Sequence, residues 1–595
     1  MTETLDPYHV EIALRATGLL RELNRPDVLT AADVHVASRL GELGGESDER
    51  VLLAVALAVR GVRRGSVCVD LGVAPRLAPD AAWPDLGEWV AAVESSPLVG
   101  PGKPLRWDGS LLYLERYWRQ EDQVCRDLLA REVQPAPTVE LERLRTALDR
   151  LFSGDVDDQR LAAVVAATRW TTVLGGGPGT GKTTTVARLL AVLLDQPGAA
   201  LRVALAAPTA KAAARLQEAV QDMVATFDPA DQARLGTLTA STIHRLLGSF
   251  PGRGTRFRHD RDNRLPYDVV VVDETSMVSL TLMARLVEAV RPDARLVLVG
   301  DPDQLASVEA GAVLADLVGG LTSRAVVRDS AVAAVDALVP VASTGSEAWR
   351  HGVVVLGRIW RFGGSIAALA AAVRAGDPDA AVAVLSAGTD DVSFSADGIR
   401  EDVVAAATAV RAAAEAGDAA SALQRLSAHR LLCAHRSGPF GVDAWTREIE
   451  HWLAEERGAP EGEWYVGRPL LVTANDYANG LLNGDTGVVV REPDGGVRVA
   501  FPRAATAVTF APSRLADVQT VYAMTVHRSQ GSQFRRVTLV LPDEASPLLT
   551  RELLYTALTR AQDHVRVVGT EAAFRAAVAR PAARASGLRE RLSAR

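Results

Sequence analysis

The chemistry of this chain concentrates in short runs, the first being VLGGGPGTGKTT at residues 173–184. A short apolar strand leads into a glycine-rich turn that closes on Lys-Thr-Thr. The turn Gly176, Gly177, Pro178, Gly179, Thr180, Gly181 wraps phosphate oxygens with backbone N–H groups, Pro178 excepted. Lys182 places a compact ammonium against the β- and γ-phosphates, Thr183 offers a hydroxyl to Mg²⁺, and Thr184 completes an ATP cradle. Lysine is scarce: of 65 basic residues three are lysine, namely Lys103, Lys182 and Lys211. Arginine serves wherever a generic positive charge suffices, so Lys182 marks a place where a planar guanidinium does not fit.

Further groups follow in an order that builds a hydrolytic site. Asp273 and Glu274 end the run DVVVV, which puts two acids at the C-terminal edge of a buried strand. Asp273 is the second candidate Mg²⁺ ligand and Glu274 the residue that orients attacking water. Gln304, in GDPDQ after the next strand, is placed to sense the γ-phosphate. Arg361 in IWRF and Arg560 in YTALTRAQDH are candidates to reach across a cleft and stabilise the transferred phosphoryl. Gln159 can pair with the adenine edge, although Asp158-Gln159 also reads as an exposed helix start. A separate set suits a sequence-blind reader of single strands: Thr209 and Lys211 in APTAK, Thr242 and His244 in TIH, and Thr525, His527, Ser529 and Gln530 in TVHRSQG. Hydroxyls and amides on loops reach phosphates and sugars. The two histidines fit packing or capping equally well.

The elements that must hold these groups are legible as alternating patterns. TTVL, RVALAAP, DVVVVDE and RLVLVGD are apolar almost throughout and end in polar or Gly/Pro punctuation, as strands buried on both faces of a parallel sheet do. They define an α/β unit over 149–345. A second unit, 346–468 and 520–595, opens near VVVLGRIWRF and closes with HVRVVGT. Between its parts, 469–519 carries alternating strands and a DGG turn, the pattern of a small β-barrel. Residues 1–148 read as mainly helical, with apolar runs such as LLYLERYW, and end near a proline-rich linker, REVQPAPTVE.

With 595 residues the chain holds about four domains. A net charge of −8 excludes wholesale coating by nucleic acid but leaves room for a local track. Cys68, Cys125 and Cys433 form no ligand spacing, which implies a reducing, cytoplasmic setting. No run of 18 uncharged apolar residues points to a membrane.

The ordered set DQ, GGPGTGKT, APTAKAAARL, TIHRLLG, VVVDETSM, VGDPDQLASV, IWRF, TVHRSQGSQF and LLYTALTRA resembles superfamily 1 DNA helicases and, more narrowly, the RecD family of exodeoxyribonuclease V subunits. LLYLERYWRQEDQV, CAHRSGPFGVD and NGLLNGDTGVV extend the likeness outside the motor. The resemblance implies two RecA-like domains with an SH3-like insertion, ATP and Mg²⁺ as cofactors, and 5′→3′ movement on single-stranded DNA from duplex ends. It also implies RecB-type and RecC-type partners, the latter docked by the N-terminal domain. Ala306 stands where free-standing relatives more often carry proline, and no helix-hairpin-helix repeats are evident; both favour the complex-bound subunit. Gln533 replaces a glutamate common in relatives. No nuclease constellation can be placed, so that activity is expected in another subunit. Beside an active motor, two readings stay open: a regulatory ATP- and DNA-binding subunit with weak motor activity, and a bare nucleotide switch.

Overall fold

The computed structural model describes residues 9–25, 28–153, 157–249, 256–323, 330–339, 347–360, 363–458, 462–503 and 506–594. Its first α/β unit is a six-stranded parallel sheet in the order Ala240–Thr242, Val203–Ala207, Val269–Val272, Arg295–Gly300, Thr171–Gly176, Val353–Leu356. Val269–Val272 is buried at every position, as helices on both faces require. The four runs read from the sequence are four of these strands.

The sixth strand corrects the expected boundary at 346. Val353–Leu356 pairs with Thr171–Gly176 and so belongs to the first unit, not the second. An apolar run reports burial, not which sheet it joins.

The second unit is a five-stranded parallel sheet, ordered Val392–Ser395, Ala561–Val568, Phe534–Val540, His429–Cys433, Ala523–Thr525. Inserted within it is a five-stranded antiparallel sheet ordered Thr506–Phe510, Val497–Arg503, Thr486–Arg491, Pro469–Val472, Val518–Thr520. Val489, Val499 and Phe501 fill the core of that insertion.

The N-terminal region is helical, with one departure from expectation. Leu111–Leu114 is not helical but the central strand of a three-stranded antiparallel sheet, and the helix begins at Glu115. The long helix Glu115–Glu132 lies across the helix Leu280–Ala289 of the first unit. Gln123 Nε2 donates to the Ala284 carbonyl at 3.1 Å and to Glu288 at 2.9 Å. Arg131, almost fully buried, donates to the carbonyls of Arg291 and Trp170.

A boundary at 148 also falls inside an element. The helix Leu141–Leu151 buries Leu144, Ala147 and Leu148 in the core beneath the phosphate-loop helix. Removal of residues 1–148 therefore uncovers that core, and is expected to yield an aggregated chain, scored by soluble yield and circular dichroism. A soluble truncation with a cooperative melt would contradict this packing.

The last residues leave the second unit as well. After the helix Glu571–Ala579 the chain crosses back: Ala585 O accepts from Val67 N at 2.9 Å, and Ser586 Oγ donates to Glu121 at 2.7 Å. The helix Leu588–Ser593 then buries Leu588 and Leu592 in the first unit's core. Residues 520–595 are thus split between the two units.

Candidate active site and strand track

The phosphate loop follows the strand Thr171–Gly176 and opens the helix Lys182–Leu194, eight of whose residues are buried. That anchorage fixes the loop. Gly181 has φ 85°, which requires glycine, and a Cβ there would also stand 2.7 Å from Gln159 Nε2 and force that side chain to shift. Lys182 Nζ donates to the carbonyls of Gly176 (2.6 Å) and Gly177 (2.9 Å), and Thr180 Oγ1 donates to Gly177 O at 2.8 Å.

Around this loop lies a cleft of about 450 Å³ between the two units. Pro178, Gly179, Lys182, Thr183, Thr184, Asp273, Glu274 and Gln304 reach it from the first unit; Gly531, Gln533 and Arg560 reach it from the second. Burial, with the Glu274 charge adding and Lys182 opposing, pushes the Asp273 carboxyl above its ordinary range. Among the described residues Glu274 is the one non-glycine with positive φ, at 52°. Its N–H donates to Asp273 Oδ1 at 2.8 Å. Left-handed backbone costs about 1–2 kcal/mol in a side-chain-bearing residue, and such strain collects at functional sites.

Among the described residues no group of three or more His, Cys, Asp or Glu forms a metal cage. A carboxylate on the cleft floor beside the threonines of a phosphate loop is instead the donor set that Mg²⁺ uses when phosphates complete its shell. Asp273 and Thr183 fit that requirement.

Arg560 is 3% exposed and pre-positioned. Its Nε donates to Thr556 O at 3.0 Å and one terminal nitrogen to Ser532 O at 3.3 Å. Arg361 lies outside the described residues. Its neighbour Trp360 donates its backbone N–H to Gly179 O at 2.8 Å, which brings Trp360 to the phosphate loop. Gln159 is buried rather than an exposed helix start: it is 6% exposed, and its Oε1 accepts from Arg188 at 3.2 Å behind Gly181.

Several cleft residues went unread in the sequence. Arg215 lines the cleft from the helix after APTAK. Tyr555, from the second unit, has its pKa raised by burial and the nearby Asp301 charge, and approaches so closely that a Cβ on Gly177 would stand 2.8 Å from its hydroxyl. Leu305, next to Gln304, links the two units directly. Its side chain sits in the second unit's core, its N–H donates to Thr556 Oγ1 at 2.9 Å, and its carbonyl accepts from Gln530 Nε2 at 2.7 Å. Leu305→Ala is expected to keep nucleotide binding near normal but lower strand-stimulated turnover about tenfold, because about 2–5 kcal/mol of apolar contact leaves the interface. Nucleotide titration beside steady-state ATPase checks this; equal loss of both contradicts the linking role.

The expected strand-contact residues divide. Thr242 and Thr525 each end a short strand and cap a short helix, accepting from Arg245 N at 3.1 Å and Arg528 N at 3.3 Å. TIH and TVH are thus the same local device, once in each unit. Thr209 caps a third helix through Ala212 N. These bonds use the hydroxyl oxygens as acceptors and leave their protons to donate. Thr209, His244 and Gln530 line one groove. His527 is half-buried, and burial with Arg584 nearby lowers its pKa. Ser529 is a correction: it is 0% exposed, and its hydroxyl donates to Val526 O at 2.7 Å, closing a turn out of reach of any strand. Lys211 Nζ donates to Gly484 O of the insertion at 2.6 Å, and burial pushes its pKa down to about 8.

A phosphate loop on one parallel sheet and an arginine delivered from a second sheet across a shared cleft define a motor ATPase of the superfamily 1 helicase type. Residues 25–113 match the N-terminal domain family of the RecBCD enzyme subunit RecD, 159–310 an AAA domain, and 520–568 a UvrD-like helicase C-terminal domain. The chain is 56% identical over 578 residues to a RecBCD enzyme subunit RecD of Mycolicibacterium smegmatis, covering 95% of this chain and 98% of that one. It is 54% identical over 598 residues to the same subunit of Mycobacterium tuberculosis, covering 98% of each. An ATP-dependent RecD2 DNA helicase of Deinococcus radiodurans is 33% identical over 426 residues, which is 71% of this chain and 50% of that one. The chain belongs to the RecD family.

Proposed function

We propose that this chain is the 5′→3′ motor of a RecBCD-type helicase–nuclease that processes duplex DNA ends in recombinational repair. The observation that carries the reading is the shared cleft, where Lys182, Asp273, Glu274 and Gln304 of one unit meet Arg560 of the other. A site divided between two bodies is completed only when they close, so each turnover alternates closed and open forms. A strand gripped by both bodies then advances.

Within the cleft, Lys182 and the loop N–H groups bind the β- and γ-phosphates of ATP. Thr183 and Asp273 hold Mg²⁺, which when bound neutralises phosphate charge. Glu274 orients water, Gln304 reports the γ-phosphate to Leu305, and Arg560 stabilises charge on the transferred group. The antiparallel insertion takes the role of the SH3-like domain, and the N-terminal region docks the RecC-type partner beside a RecB-type motor. The nuclease site lies in another subunit. No described helix is long and apolar enough to cross a membrane, and the complex works in the cytoplasm.

ATPase of the full chain with and without oligothymidylate tests the reading. Stimulation by the single strand is the expected result. Hydrolysis indifferent to it would reduce the chain to a nucleotide switch.

A further inference from the structure

The groove lined by Thr209, His244 and Gln530 is about 580 Å³ in volume, and one of its walls comes from the N-terminal region: Arg116 and Tyr117. Both sit in the first turn of the helix Glu115–Glu132. That helix is fixed to the first unit, since the Thr281 hydroxyl donates to Gln120 Oε1 at 3.0 Å and Gln123 bonds Ala284 and Glu288. Arg116 and Tyr117 therefore move with the phosphate-loop sheet.

The groove's chemistry is that of a phosphodiester chain. The Arg116 guanidinium is exposed, 5.7 Å from the Tyr117 ring and 3.5 Å from the Thr281 hydroxyl. Phe257 adds a second aromatic face, tilted against His244 at 5.8 Å. Thr209 and Ser279, the caps of helices of 15 and 10 residues, also line the groove and bring two positive helix ends to it. Glu309 is the acid among the lining residues, exposed to solvent. A cation and two helix N-termini suit phosphates and aromatic faces suit bases, while Val62, Leu282 and Val308 add an aliphatic wall against which sugars and base edges can pack.

We propose that Arg116 and Tyr117 bind single-stranded DNA, extending the strand track onto the N-terminal region, with Arg116 on a phosphate and Tyr117 against a base. This rests on Thr209, His244 and Gln530 being the track. The region that docks the partner then also touches the moving strand, so partner and substrate meet on one rigid body.

The test is fluorescence anisotropy of the full chain with labelled oligothymidylate over a salt series. Tyr117→Leu keeps apolar bulk but loses the ring face, and is expected to weaken binding about 5- to 100-fold, while Tyr117→Phe binds like the parent. Arg116→Ala is expected to reduce the slope of log K against log salt by about 0.7. Thermal melts confirm that each variant is folded. His244→Ala separates the two levels of the reading. If it weakens binding while Tyr117→Leu and Arg116→Ala do not, the track stands and the extension is overturned. If none of the three matters, both fail. Unchanged DNA affinity with lost co-purification of the RecC-type subunit assigns the groove to a protein segment, and also overturns the proposal.

Discussion

Arg560→Ala is expected to leave ATP binding near the parent value and to lower kcat by about 10³ or more. The guanidinium stands on the second unit, held by the Thr556 and Ser532 carbonyls, while the phosphate cradle is built from the first unit. Ground-state binding therefore draws on one body and transition-state charge on both, the division seen when an arginine is supplied in trans to a phosphoryl transfer. Arg560→Lys does not restore the rate, because an ammonium cannot reproduce the planar donor set. Loss of the buried side chain removes the donor to the Ser532 carbonyl, while the Thr556 carbonyl keeps the Thr559 hydroxyl; the cost is about 1–3 kcal/mol of stability, so a melt accompanies the kinetics. Equal losses of binding and turnover would remove Arg560 from this role.

Lys182→Gln is expected to cut hydrolysis by at least about 10²–10³ while sparing the fold. The side chain starts its helix at the loop mouth, and the eight buried residues behind it carry the packing. What is lost is a full charge at the phosphates, worth about 3–4 kcal/mol in a pre-organised site. Phosphate release measured beside a thermal melt decides the point. A folded variant with retained ATPase would place the catalytic charge elsewhere.

The hydrolytic half of this site was legible because its residues are fixed by local geometry. A phosphate loop needs its glycines, its lysine and a strand before it, all within twelve positions. Asp273, Glu274 and Gln304 follow strands so apolar that their place in a parallel sheet was never in doubt. What sequence could not supply was long-range partnership. Val353–Leu356 reads as a buried strand in either unit, and only pairing with Thr171–Gly176 decides. Leu305 looks like any apolar residue after a turn, yet it is the peg that enters the second unit's core.

The strand track was read less well, for a related reason. A hydroxyl in a Thr-x-His-x-Ser run serves the local backbone and a phosphate equally, and only burial shows that Ser529 does the first alone. Lys211 was read from the APTAK run as a strand contact, but its partner Gly484 lies 273 residues away. The C-terminal crossing was invisible too: RASGLRERL carries no periodicity that names Glu121 as the acceptor of Ser586. Motifs reveal which groups do chemistry; contacts between distant segments decide how they are coupled.

Unwinding by the purified chain on two duplexes, one with a 5′ single-stranded tail and one with a 3′ tail, tests the motor most directly. Displacement on the 5′-tailed duplex alone, lost in Lys182→Gln, is the predicted result. Displacement on the 3′-tailed duplex, or on either in the Lys182→Gln variant, would contradict it.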